Sequence, residues 1–383
     1  MKKFADYQDD IYICSRCGLC QSVCPIFQIT KKETTVSRGF FSTLTGVLQG
    51  HLSFNKKLRK NIDMCLTCNK CKEFCPSGID AEKIIISAKI ASFQYVPFWK
   101  KLFTRALYSR IFLRTASMVR FYRFLPVLNF TATGRILHKF LTPTTRYQKQ
   151  ITERKSPVKT VFFGGCVNKY FNSSSQNAVK MILEKNGITH TIPDFDCCAI
   201  TGYNIGDIEN FIKIAKKNLA KIPDDTDFVL FDCATCKKAF ALYAEVLDGK
   251  EKEKAEKIFA KCRHINEFLA EQKIFPTTTV SKKVFYHTPC HTDCIEKTKE
   301  VALHTGLNLE ILPDKCCGSA GLFCIENPKI SEELAKKRAV DFENESILLT
   351  DCPLCRFGLI KGAVLQNSDV KIANFVEIFE TLL

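Results

Sequence analysis

Between Lys83 and Thr152 this 383-residue sequence contains no aspartate or glutamate, while thirteen lysines and arginines fall in the same stretch. That one region therefore carries thirteen of the sixteen net positive charges, and the rest of the chain is close to neutral. The sequence also lacks a Gly-rich dinucleotide loop, a P-loop and any Ser/His/Asp or Cys/His signature, so no flavin or nicotinamide site is expected in this chain. No nucleic-acid recognition motif accompanies the basic charge, and no nucleic-acid partner is expected. The opening MKKFADYQDDIYICSRC has no apolar stretch of the signal-peptide kind, so the chain is expected in the cytoplasm, where thiols stay reduced. A hydrophobic content of 46% with 25% charged residues excludes a disordered or fibrous chain.

What the sequence has in excess is cysteine, 21 in all. In a reducing compartment so many cysteines at fixed spacings read as metal ligands. The length suggests two to three domains. Residues 1–95 form a cysteine-rich unit, and 96–157 a basic, aromatic helical segment ending in the polar linker TPTTRYQKQITERKSP. From 158 onward, short β-branched and aromatic runs alternate with amphipathic helices. VKTVFF (158–163), FVLF (228–231), KVFY (283–286) and ILLT (347–350) read as buried strands, which argues for α/β layering. DIENFIKIAKKNLAKI (207–222) reads as a helix, and SEELAKKRAVDF (331–342) as another with Ser331 as its N-cap.

The first unit holds Cys14-x2-Cys17-x2-Cys20-x3-Cys24-Pro25 and Cys65-x2-Cys68-x2-Cys71-x3-Cys75-Pro76. Three cysteines within seven residues let one tight loop offer three thiolates to one cubane, while the fourth ligates the other cluster. Cys14, Cys17, Cys20 and Cys75 are thus expected to hold one [4Fe-4S] cluster, and Cys65, Cys68, Cys71 and Cys24 a second. Structural zinc, the alternative, usually takes two separated Cys-x2-Cys pairs rather than triplets followed by Cys-Pro.

The second half repeats itself. VFFGGC (161–166) matches VFYHTPC (284–290), and LFDCATCKKAF (230–240) matches LTDCPLCRFGL (349–359). Cys197, Cys198, Cys233 and Cys236 recur 119 residues later as Cys316, Cys317, Cys352 and Cys355, and Cys166 corresponds to Cys290. The copies are expected at 158–275 and 276–383. Five thiols per copy exceed what a tetrahedral zinc or a cubane uses, and adjacent cysteines diverge. The set favours a polynuclear iron site of open shape; zinc on four of the five is the alternative. Cys262, Cys294 and Cys324 fit no motif and read as ordinary core cysteines. His287 and His291 flank Cys290, placed to bond a cluster sulfur or simply to be buried and satisfied.

Tyr286-His287-Thr288-Pro289-Cys290-His291, Cys316-Cys317-Gly318-Ser319-Ala320-Gly321 and Thr350-Asp351-Cys352-Pro353-Leu354-Cys355 resemble the cysteine-rich CCG domain found in heterodisulfide reductase. There such motifs hold non-cubane [4Fe-4S] clusters that cleave disulfides. The whole layout is similar to the iron–sulfur subunits of anaerobic glycerol-3-phosphate dehydrogenase and of glycolate oxidase. One departure is Ala199, where the motif has glycine. Retention of Cys352 and Cys355 leans toward the glycerol-3-phosphate and heterodisulfide types.

The resemblance implies an α+β/α multi-domain fold: an α-helical ferredoxin-type domain with two [4Fe-4S] clusters, then a duplicated α/β CCG domain with one or two further clusters of the non-cubane kind. It implies an electron-transfer subunit, fed by a separate FAD-linked dehydrogenase acting on glycerol 3-phosphate, glycolate or lactate, and delivering toward membrane quinone. The competing expectation is a heterodisulfide-reductase-like enzyme that reduces a disulfide itself. The basic segment 97–130 suits docking on the inner face of the cytoplasmic membrane or on an acidic partner subunit. Its longest uncharged run, Phe124 to Gly134, is eleven residues and too short to span a bilayer. On a helical wheel its basic residues fall in two arcs rather than one polar face.

Overall fold

The computed structural model describes residues 2–119, 130–150, 152, 156–276 and 279–383. Residues 120–129 of the basic segment and part of the following linker lie outside this range. The chain divides into two compact units. One comprises Met1–Ala106, Ala199–Phe211 and Gly318–Leu334; the other comprises Leu107–Cys198, Ile212–Cys317 and Ala335–Leu383.

The first unit is helical. Ser37–Leu48, Lys56–Ile62 and Ala81–Ala91 are its main helices, and they close over a core that includes Ile11, Phe40, Leu44, Ile62 and Ile85. Asn55 and Asp80 cap two of them by accepting from the Leu58 and Lys83 amides, each removing an unsatisfied helix-end donor. Two buried cations then tie distant segments together. Arg59 donates to Asp63, to the Lys89 carbonyl and to the Ile205 carbonyl (3.0, 2.6 and 2.7 Å). Lys100 donates to Asp63 and Glu326 at 3.0 and 2.9 Å. Gly206 is required beside this tie: its φ is +83°, and a Cβ there would lie 2.5 Å from the Lys89 carbonyl oxygen.

The helix Phe98–Ala106 is turned inside out by this arrangement. Lys100 is only 2% exposed, whereas Phe98, Trp99 and Leu102 are 78, 51 and 57% exposed. The two basic arcs of the helical wheel thus have different fates here, for Lys100 turns inward to carboxylates while Arg105 stays exposed. Among the described residues no helix is long and apolar enough to cross a membrane.

The second unit contains two parallel four-stranded sheets. Strands β1 (Ser156–Phe163), β2 (Ile188–Thr191), β3 (Phe228–Phe231) and β4 (Cys262–His264) are ordered β2-β1-β3-β4. Strands β5 (Lys282–Tyr286), β6 (Leu307–Ile311), β7 (Ile347–Leu349) and β8 (Lys371–Ala373) are ordered β6-β5-β7-β8. The α/β layering expected from the alternating runs and the duplication expected from the repeat are both present. The inner strands are buried on both faces, which is why they read as unbroken apolar runs. The helix expected at 331–342 instead runs Pro328–Ala339, since proline is at home in a first turn. Ser331 is therefore not its N-cap: it lies buried inside the helix and donates to the Gly318 carbonyl at 2.6 Å.

The two copies exchange their last helices. Ile265–Glu271, which follows β4, packs on Ile295–Thr305 of the second copy. Phe375–Glu380, which follows β8, packs on Ser174–Lys185 of the first. One continuous apolar core results, joining Val179, Ile182, Phe268, Val301, Phe375 and Phe379.

Candidate metal centre

In the first unit the two cysteine loops share a backbone pattern. Arg16 and Gly18, and at the same steps Thr67 and Asn69, have positive φ. Left-handed residues alternating along a short loop turn successive N–H groups to one side, making an anion-binding nest. Here those amides meet sulfur: Leu19 N–H bonds Cys17, Thr67 N–H bonds Cys65, and Lys70 N–H bonds Cys68. Ser37 adds its hydroxyl to Cys71 at 3.2 Å.

The loops surround two small cavities. Cys14, Cys17, Cys20 and Cys75 line one, and Cys24, Cys65, Cys68 and Cys71 the other, with Cys71 also reaching the first. The fourth cysteine of each motif thus faces the opposite loop's cavity. Burial pushes the Cys24 and Cys71 thiols up to about 12 and Cys68 to about 11, and a bound cationic metal would favour their thiolate form. Sets of four soft sulfur donors ringed by N–H groups fit iron–sulfur clusters. Ser37 and the buried Lys89, whose ammonium donates to the Cys65 carbonyl at 3.1 Å, carried no sequence signal. Both reach the loops from helices elsewhere in the chain.

In the second unit, topology positions the thiols. Strand order reverses between β1 and β3, and between β5 and β7, opening a crevice at the carboxyl ends of the strands. Cys166 and Cys233 directly follow β1 and β3, and Cys290 and Cys352 follow β5 and β7. The adjacent pairs, Cys197 with Cys198 and Cys316 with Cys317, sit on the loops after β2 and β6.

Sulfur contacts run through both copies. Cys166 and Cys197 lie 3.5 Å apart. Cys198 bonds Cys236, which bonds Cys233; Cys233 bonds Cys352 of the other copy, which bonds Cys355. Cys355 lies 3.5 Å from Cys317, which bonds Cys316. Neighbouring sulfurs first, and burial next, hold the Cys166 and Cys236 thiols above their ordinary range. Cys290 is solvent-exposed. The five-cysteine sets of the two copies thus meet at Cys233 and Cys352. Sequence similarity between copies says nothing about their approach, so this junction had no signal. It follows from the helix exchange, and Ala234 N–H seals it by donating to the Asp351 carbonyl at 3.1 Å.

Buried acids stand behind the junction. Burial pushes Asp232 up to about 7, although Ser175 and Asn168 each donate to it at 2.7 Å. Asp351 is likewise raised by burial, and accepts from Tyr286 and Asn266, each at 2.7 Å. His287 is buried, and its ring nitrogen lies within 4.8 Å of the Cys317 and Cys355 sulfurs. His291 meets Thr235 at 3.2 Å, and Thr235 in turn lies 3.6 Å from Cys352. Cys262 and Cys294 are buried and Cys324 half-buried. Glu267 and Asp293 gather near Cys294, but the Lys237 ammonium already sits between them at 2.6 and 2.9 Å.

Comparison with known proteins finds a family match in each half of the chain. The 4Fe-4S dicluster domain family matches residues 10–79, and the cysteine-rich domain family CCG matches residues 160–241 and again 284–360. The glycolate oxidase iron-sulfur subunit of Escherichia coli is 24% identical over 97% of this chain and 93% of its own length. One component of the dihydromethanophenazine:CoB–CoM heterodisulfide reductase of Methanosarcina acetivorans is 23% identical over 95% of this chain and 91% of its own. Lactate utilization protein A of Bacillus pumilus is 26% identical over 51% of this chain and 88% of its own. No solved structure matches.

Proposed function

We propose that this chain, a CCG-domain iron–sulfur oxidoreductase subunit, takes electrons from a separate FAD-linked dehydrogenase and passes them toward membrane quinone. The observation that carries the reading is the run of sulfur contacts from Cys198 to Cys316 through the Cys233–Cys352 junction. Such a run suits passage along the chain better than two isolated reactive sites. Cys14, Cys17, Cys20 and Cys75 would hold one [4Fe-4S] cluster, and Cys65, Cys68, Cys71 and Cys24 a second. The ten CCG cysteines would hold one or two more, of the non-cubane kind. When bound, iron–sulfur clusters supply one-electron redox centres whose potentials respond to hydrogen bonds and solvent. The chain's own share is the nest amides, the Ser37 hydroxyl and the buried walls. The dehydrogenase substrate would be a small hydroxylated metabolite: glycolate and lactate appear in the names of relatives, and glycerol 3-phosphate belongs to the same layout.

Membrane delivery is supported by the inverted helix Phe98–Ala106. An exposed Phe98, Trp99 and Leu102 beside basic residues suits the interface of an anionic bilayer, at the inner face of the cytoplasmic membrane. Trp99 is the chain's single tryptophan, so its emission reports directly on docking. A blue shift with anionic vesicles, lost with neutral ones, is expected.

A second reading, a heterodisulfide-reductase-like enzyme, is favoured by the exposed Cys290 and the retention of all ten thiols. The deciding experiment supplies anaerobically purified protein with reduced viologen and a disulfide. No steady thiol production is expected, whereas capture of a flavoprotein whose substrate reduces the bound clusters is. Thiol release without partners would displace the electron-transfer reading, and a colourless protein with about one zinc would end both.

A further inference from the structure

The two CCG copies differ in what precedes the first cysteine, and the difference opens a cleft in one of them. In the second copy His287 follows β5, and its imidazole bonds Cys317 and stands near Cys355. In the first copy the corresponding residues are Gly164 and Gly165. Gly165 has φ +66°, and a Cβ there would lie 3.2 Å from the Cys236 sulfur. Bare backbone thus occupies the place of an imidazole.

Over it lies a cleft of about 130 Å³ with Cys166 and Cys197 in its wall. Tyr108, Leu113, Tyr170 and Phe195 supply apolar and aromatic sides. An apolar cavity of about this size holds one benzene-like ring, which is too little for a nucleotide cofactor. Gln176 also lines the cleft, and its amide makes no hydrogen bond among the described residues.

The charges around the cleft are already spent on one another. Arg110 pairs with Asp194 and, at 2.7 Å, with Asp196. Lys169 pairs with Asp194, and Lys221 with Asp196 at 3.1 Å. Among the described residues no unpaired cation is left here for an anionic occupant, which favours a neutral one. The outer wall is the helix Arg110–Ala116 of the acid-free segment. It turns Leu113 inward and leaves Ile111 76% exposed, an apolar approach for a lipophilic molecule.

We infer that this cleft binds the neutral head group of a quinone against the Cys166 side of the first CCG copy, with Gln176 donating to a ring carbonyl. The inference rests on the quinone-directed reading above and adds the place of binding. It also assigns the copies different tasks: the first faces the acceptor, and the second, where His287 stands against Cys317, does not.

The test uses anaerobically purified holo-protein and the fluorescent quinone analogue 2-heptyl-4-hydroxyquinoline N-oxide, titrated by quenching and displaced with menadione. Wild type is expected to bind one equivalent. Gln176→Leu, similar in size but without the amide, should weaken binding about tenfold. Leu113→Trp, which fills the cleft, should abolish saturable quenching. Unchanged cluster absorbance and EPR of the ferredoxin-type centres mark each variant as folded. Wild-type binding that neither variant alters would overturn the cleft while leaving quinone as the acceptor. No binding by wild type would overturn the quinone reading itself. Displacement by a small disulfide but not by menadione would give the cleft to the disulfide-reducing reading instead.

Discussion

The two halves of the duplicated unit share strand order, cysteine spacing and exchanged helices, yet they treat the same thiols differently. In the first copy, glycine backbone lies against Cys236 and a cleft opens at Cys166. In the second, an imidazole lies against Cys317 and Cys290 is exposed. Duplication has kept the five-cysteine skeleton, while the residues between strand and first cysteine diverged. The comparison teaches that access to the thiols, rather than their number, distinguishes the copies.

Removing a thiol from the middle of the run is the harshest way to break this comparison. Cys236→Ala and Cys355→Ala should each lower anaerobic iron and sulfide content. Because Cys233 bonds Cys352, each should also alter the EPR signal assigned to the other copy. Strictly private losses would show the copies to be independent. Next in size is Gly165→Ala, which places an alanine at φ +66°, ψ 162°, a backbone region open essentially only to glycine, with a Cβ 3.2 Å from the Cys236 sulfur. A destabilisation of about 2 kcal/mol in denaturant unfolding is expected, with the first copy's spectrum perturbed and the second's intact.

The caps of the exchanged helices offer a pH test. His264 caps Ile265–Glu271 where Asn374 caps Phe375–Glu380, each with a glutamate completing a capping box. Burial holds His264 below the ordinary histidine value. The unfolded chain takes up a proton below about pH 6.5 that the folded imidazole refuses, so this group costs stability as pH falls. Wild type should lose up to about 1.4 kcal/mol per pH unit relative to His264→Asn between pH 6.5 and 5. Parallel thermal-melt curves for the two proteins across that range would refute it.

Smaller still is the exchange at the residue after each Cys-Cys pair. Ala199 has φ +59° and Gly318 φ +81°, so both copies need the left-handed conformation and only one has glycine. Ala199→Gly should stabilise by about 1 kcal/mol and Gly318→Ala destabilise by about as much, read from denaturation midpoints. At the bottom of the scale, the exposed pairs Lys159–Asp225 and Lys283–Glu310 should tolerate Lys→Gln in either copy without a measurable shift in melting.

Much of this could be read in one dimension. The ferredoxin-type loops are local: three cysteines in seven residues reach one point whatever surrounds them. The strands β1, β3, β5 and β7 announced themselves because burial on both faces writes an apolar run. Strands β2, β4, β6 and β8 did not, being short edge strands whose exposed positions carry polar residues such as Thr189 and Glu310. Glycine's absence at 199 was visible, but its consequence, a left-handed alanine, was not.

By itself the sequence determined the candidate thiols, their spacing and the repeat, because covalent spacing limits which thiols could share a metal. Only the tertiary structure decided that Cys233 meets Cys352, that Lys100 turns inward while Trp99 turns out, and that Gly165 backbone lies against Cys236 where His287 stands against Cys317. Those outcomes depend on which surfaces pack together after the chain has crossed itself, and long-range packing leaves no periodic trace along the residues that take part in it.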